Sequence, residues 1–168
     1  MAGPATLWAF EGDWRLERRI EQAGGRGDAR LSGLARFRRE GDALILQETG
    51  TLWVGGAAPG MQAERRYLWR SEPGRIAVDF EDGRPFHGFP LGLPAPEATH
   101  LCAPDRYEVR YDFSRWPDWE TVWRVSGPRK DYVMTSDYSP SPDRGPALAP
   151  RGAGCDKARE TKSNGRGS

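Results

Sequence analysis

Cysteine and histidine are scarce in this chain of 168 residues: two of each, Cys102 and Cys155, His87 and His100. One cysteine falls in the aromatic-rich part of the chain and the other in its last stretch. A bridge between them would staple no core, so both are expected as free thiols in a reducing compartment, and the expected location is cytoplasmic. The histidine spacing is no metal signature, and neither Cys-x-x-Cys nor His-x-x-x-His occurs. Long hydrophobic runs are also absent. The longest falls well short of the roughly 18 residues of a membrane span, and no basic-then-apolar leader opens the chain, so no membrane association is expected. Charge of one sign is missing as well: 25 Lys and Arg against 24 Asp and Glu leave a net charge of +1. Mixed signs without a basic stripe argue against a nucleic-acid partner. No nucleophile elbow, phosphate-cradling glycine loop or dinucleotide fingerprint is present, so no cofactor is expected.

Aromatic residues are plentiful and unevenly placed. All seven Trp, five Tyr and six Phe lie before residue 140. Residues 140–168 are rich in Pro, Gly and charge, with six basic side chains against three acidic ones. Such a composition buries too little surface to offset ordering, so 140–168 is expected as a disordered basic tail behind one domain at 5–139. A chain of this length suits one domain that folds without disulfides or metal.

The body alternates with a period of two. Trp14, Leu16 and Ile20 share one parity while Arg15, Glu17, Arg19 and Glu21 share the other. The pattern returns in Leu31, Ala35 and Phe37, in Ala63, Tyr67 and Trp69, and in Ile76, Val78 and Phe80. It returns again in Tyr107, Val109 and Tyr111, in Trp119, Trp123 and Val125, and in Tyr132, Met134 and Tyr138. Turn pairs such as Gly41-Asp42, Pro73-Gly74 and Asp82-Gly83 separate the runs. Apart from a helical turn within 5–10, no window carries a helical period. The expectation is an all-β, antiparallel up-and-down barrel of about nine or ten strands, because closure removes exposed edges. Residues 84–104, with five prolines, are expected to hold one short strand and a long loop at the barrel mouth.

Gly12-Asp13-Trp14 at the first strand, the meander itself, and Arg129-Lys130 before the last strand resemble the lipocalin and fatty-acid-binding superfamily. That resemblance implies a cation from the Arg129-Lys130 pair over the Trp14 indole, closing the barrel bottom. A closer resemblance is to a family of uncharacterised domains of bacteria and fungi. It is carried by Phe10-Glu11-Gly12-Asp13-Trp14, Asp82-Gly83-Arg84-Pro85-Phe86-His87, His100-Leu101-Cys102-Ala103-Pro104-Asp105-Arg106-Tyr107 and Gly127-Pro128-Arg129-Lys130-Asp131-Tyr132. It implies the fold and the domain limits and adds no chemistry.

Candidate site residues follow from parity. Arg18 shares the face of Trp14 and Leu16, and Arg65 that of Ala63 and Tyr67. A buried guanidinium is costly unless paired. It would serve either an anionic ligand or a structural ion pair with an internal acid such as Glu48 or Asp79, unless a bulge turns it outward. His87 and His100 flank the proline-rich stretch, as ligand donors, an acid or base, a haem ligand, or simply loop anchors. Tyr107, Tyr111 and Trp123, with Tyr67, Trp69 and Trp119, would line the interior as a pocket wall or fill it.

The expected function is binding of a small, anionic and partly apolar molecule inside the barrel, its acid group on Arg65 and Arg18. The alternative is a small-metabolite isomerase, lyase or hydrolase using His87 or His100 as acid or base. Asp79 and Glu81 share the outward parity, which weakens them as catalytic acids. The small molecule is the expected partner, and the oligomeric state is left open.

Overall fold

Strong alternation and short polar turns produce ten strands in one antiparallel sheet. In the computed structural model, which describes residues 2–25, 27–56 and 59–142, a 3-10 helix (Leu7–Phe10) precedes β1 (Gly12–Gln22), β2 (Ala29–Glu40), β3 (Ala43–Val54), β4 (Met61–Glu72) and β5 (Arg75–Phe80). There follow β6 (Pro85–Pro90), β7 (Glu97–Cys102), β8 (Asp105–Asp112), β9 (Trp119–Ser126) and β10 (Asp131–Pro140). From residue 143 on, the segment read as a disordered tail, with Cys155, lies outside the described residues.

The strand order is β6-β5-β4-β3-β2-β1-β10-β9-β8-β7, so consecutive strands pair in the sheet except β6 and β7, its two ends, and β1 pairs with β10. This is an up-and-down barrel, nearly closed. No hydrogen-bonded ladder joins β6 to β7 among the described residues, although the two strands lie against each other. Pro85 and Pro90 bracket β6, and proline at a free edge discourages pairing with other chains. The expectation of a long loop in 84–104 is therefore corrected. Two six-residue strands occupy it, hidden from a reading by composition because prolines sit at their ends.

The hairpins alternate between two ends. The base carries the connections at 41–42, 73–74, 91–96 and 113–118 together with the 3-10 helix, and the mouth carries those at 23–28, 55–60, 81–84, 103–104 and 127–130. Base and mouth differ in packing. At the base Leu7, Phe10, Trp14, Phe37, Trp69, Phe89, Phe113 and Trp119 are almost wholly buried. Phe10 meets Trp69, Trp116 and Trp119 with ring centroids 5.1–5.4 Å apart, mostly edge to face. Such pairs add about 0.5–1.5 kcal/mol each to the burial of their area. Toward the mouth, Tyr67, Phe80, Tyr107, Trp123 and Tyr132 are only half-buried.

One pinch shapes the wall. Gly33 of β2 faces Gly50 of β3, and a Cβ on Gly33 would run into the Thr49 carbonyl. Two glycines in register let the strands approach and bend as a small barrel requires.

The cation expected over Trp14 is also corrected. The antiparallel register sets Pro140, the last residue of β10, opposite Trp14, so Lys130 stands at the far end of the barrel. Trp14 instead packs against Trp116 and Trp119 and donates its indole N–H to the Phe10 carbonyl at 2.8 Å. Lys130 lies over the Tyr107 ring at 5.7 Å and pairs with Asp105 at 3.2 Å.

Candidate functional site

Strand alternation carries Arg18 into the barrel, where it is 4% exposed. Its Nη2 contacts both oxygens of Glu48 at 2.9 and 3.0 Å, and its Nε donates to Ser136 Oγ at 2.7 Å. Tyr138 donates its hydroxyl to Glu48 Oε2 at 2.6 Å, while its ring stacks on Trp119 at 3.9 Å. Burial works against the Arg18 charge, but the Glu48 carboxylate outweighs it and holds the guanidinium pKa above its ordinary value. Burial, with Glu48 beside it, raises the Tyr138 phenol well above its usual range. Two opposite charges thus cancel inside the barrel, each satisfied by further hydrogen bonds, the condition for tolerating buried ions. Asp79 takes no part. It lies on the outward parity and accepts from Arg70 Nε at 2.6 Å.

Arg65 stands opposite Glu48 in the β3–β4 register, yet the residue is exposed and makes no pair with that carboxylate, which Arg18 holds. Its Nη1 lies 3.9 Å from Met134 Sδ, and it sits beside the Tyr67 hydroxyl. No carboxylate pairs with it among the described residues. β4 has twelve residues and β5 only six, and their ladder begins at Tyr67 and Phe80. Residues 61–66 therefore overhang their neighbour and leave an open groove of about 500 Å³ lined by Arg65, Arg66, Tyr67, Phe80, Glu81 and Asp82.

Below this groove lies an internal cavity of about 20 Å³, room for a single water-sized group. Glu48, Tyr67, Trp69, His87, Tyr111, Trp119, Thr121, Trp123 and Tyr138 line it. Tyr67 borders both spaces. Three buried polar atoms without a hydrogen-bond partner, Trp69 Nε1, Trp119 Nε1 and His87 Nδ1, belong to residues of this one lining.

His87 reaches the interior through a bulge. Val78 pairs with His87 but Asp79 pairs with Pro85, so Phe86 is an extra residue and both Phe86 and His87 point inward. His87 Nε2 shares a 2.6 Å hydrogen bond with the Tyr111 hydroxyl. Burial, helped by nearby His100, pushes the His87 pKa down to about 3, so the ring is neutral. Burial raises the Tyr111 phenol well above its ordinary value, so it keeps its proton.

The structure thus brings His87, Tyr111 and Trp123 to one cavity, with the Arg18–Glu48 pair on its wall and Arg65 in the groove outside. His100 and Tyr107 belong to the mouth. His100 meets Phe86 edge-on at 5.3 Å, and Tyr107 accepts from Lys130 Nζ at 3.2 Å. The alternation places Trp69 and Trp119 on the interior as aromatic wall or filling, and their unpaired N–H groups are not visible in it. The available signal was an inward tryptophan, whose N–H must find a partner within the barrel. Among the described residues no cluster of three or more His, Cys, Asp or Glu is arranged to hold a metal ion, and no helix is long and apolar enough to cross a membrane.

Two solved structures share the fold. A protein of unknown function from the DUF3598 family of Nostoc punctiforme superposes with a TM-score of 0.52 at 8% identity, over 82% of this chain and 49% of its own, so this chain spans about half of that protein. The S-type phycobiliprotein lyase CPES from Guillardia theta gives the same TM-score and identity over 77% of this chain and 86% of its own. At 8% identity these likenesses establish the barrel and nothing about its ligand. No curated protein matches the sequence. A family profile does match, over residues 10–140, which spans the strands and all four motifs of the uncharacterised-domain resemblance: the chain belongs to DUF6314, a family of unknown function.

Proposed function

We propose that the barrel binds a small, partly apolar carboxylate or similar anion, seated in the mouth groove with its acid group on Arg65 and its body against Tyr67 and Phe80. The observation that carries this reading is Arg65 itself, an inward-parity guanidinium with no carboxylate partner among the described residues, at the rim of a groove of about 500 Å³. Asp82 on the same groove is already engaged by Arg84 at 2.6 Å. Arg18, the other candidate cation, is compensated by Glu48 and is left out of anion recognition.

Acid–base catalysis by His87 draws no support from its environment. A ring whose pKa is held down to about 3 is neither a useful proton donor near neutrality nor a strong base. Titration of the tryptophan fluorescence with straight-chain carboxylates tests the binding reading. Saturable binding weakened about tenfold or more in Arg65→Met is expected, since a charge-assisted hydrogen bond is lost. Equal affinity in the variant would remove Arg65 from the site.

A further inference from the structure

The inner cavity bears on the chemistry of the ligand itself, given the anion binding at Arg65 proposed for the groove. Trp69 and Trp119 are 3% and 2% exposed, and neither indole N–H has a partner. An indole nitrogen only donates, so both ask for an acceptor. His87 adds a third unpartnered atom, Nδ1, from the same lining. Three such atoms from strands β4, β6 and β9 around one cavity is a concentration that buried polar groups do not normally show.

The charge of the acceptor is set by what else lines the cavity. Glu48 is on the wall, so a second carboxylate would meet repulsion, and the Arg18 charge is already spent on Glu48 and Ser136. A cation would meet the two donating indoles, and the one carboxylate on the wall, Glu48, already has its counter-charge in Arg18. An uncharged oxygen fits the chemistry of these groups: a ketone or a hydroxyl can accept an indole N–H, and a hydroxyl also offers its own proton. His87 decides between them. The Tyr111 phenol keeps its proton, and if it donates to Nε2, then Nδ1–H becomes a third donor and favours the ketone. If Nε2–H donates to Tyr111 instead, Nδ1 accepts and favours the hydroxyl.

We infer that Trp69, Trp119 and His87 form an inner recognition point for a neutral oxygen, so that the ligand is an oxo- or hydroxy-substituted carboxylic acid with its acid on Arg65 and its second oxygen in the inner cavity. The route is through Tyr67, which borders both groove and cavity. A cavity of about 20 Å³ admits an oxygen-sized group, with the chain that carries it lying along Tyr67 in the groove.

Calorimetry on the full chain with straight-chain carboxylic acids and their keto and hydroxy counterparts, substituted at successive positions, tests this. One substitution position is expected to bind about tenfold tighter than the plain acid, because the plain chain leaves the indoles unpaired. The gain should vanish in Trp69→Phe and Trp119→Phe, so that each variant binds the substituted and the plain acid alike. If either variant melts too low to titrate, the indole N–H resonances of the wild-type protein decide the question. Those of Trp69 and Trp119 should move with the substituted acid and stay with the plain one. Equal affinity for plain and substituted acids, or unmoved indole resonances, would overturn the inner site and assign its polar atoms to water, leaving the groove reading intact. No binding of any acid would overturn both.

Discussion

Arg18 and Glu48 meet inside the barrel at 2.9 Å, both side chains 4% exposed or less, with no solvent to moderate their attraction. The pair closes a wall formed by β1, β3 and β10, because Ser136 and Tyr138 supply the remaining hydrogen bonds. It also divides the work of the two inward arginines. Arg18 fixes the interior, and Arg65 at the mouth has no carboxylate partner among the described residues, only Met134 Sδ and the Tyr67 hydroxyl beside it.

Glu48→Gln should therefore be among the most damaging single substitutions. It leaves a buried guanidinium without its counter-charge, a loss of about 3–5 kcal/mol. Replacing both partners, Arg18→Met with Glu48→Met, should recover most of that loss, since no buried charge remains. Urea unfolding of the three proteins checks this, and a Glu48→Gln loss under about 1 kcal/mol would show that water reaches the pair.

Acid should destabilise the barrel through His87. The folded ring titrates at about 3 and the unfolded one near 6.5, so between these values the unfolded state binds the extra proton. Stability contributed by the neutral ring is intact above about pH 6.5 and declines as pH falls, by at most about 1.4 kcal/mol per unit, until about pH 3. His87→Phe should flatten that limb. Melting temperatures at stepped pH for both proteins measure it, and an unchanged slope in the variant would assign the acid sensitivity elsewhere.

Much of the barrel was legible in the alternation alone. Trp14, Leu16, Arg18 and Ile20 fall on one face whether read from sequence or structure, and of the two acids that could be named as internal partners, Glu48 and Asp79, Glu48 is the one that pairs with Arg18. The legibility ended where local geometry breaks the period. Phe86 and His87 both turn inward because of a bulge, which no count of alternate residues anticipates. β6 and β7 are short and carry their prolines at strand ends and turns, so composition makes them look like a loop. The Lys130–Tyr107 contact was hidden because strand direction, which decides which end of the barrel a residue occupies, follows only from the full order of strands.

The glycine pinch gives a third test. Gly33→Ala places a Cβ against the Thr49 carbonyl, a backbone group that cannot rotate away. The expected cost is about 1–3 kcal/mol, as for other overpacked sites. Urea unfolding of the variant measures it, and a loss under about 0.5 kcal/mol, the range of an ordinary surface substitution, would show that the strands open at Gly33 without penalty.

Salt should separate the two arginines. Arg65 is exposed, so ligand affinity that rests on it is expected to fall as ionic strength rises, whereas the enclosed Arg18–Glu48 pair should hold protein stability nearly constant. Titrations and melts at low and high salt make the comparison. An affinity indifferent to salt would detach binding from the mouth cation.

The most direct test of a ligand-binding barrel is native mass spectrometry of the protein as purified from cells, set beside the same sample after denaturation. The account expects a reproducible extra mass, lost on denaturation, that belongs to a small acid and is reduced in Arg65→Met. A bare mass in both samples, together with no stabilisation by any carboxylate offered in excess, would contradict it.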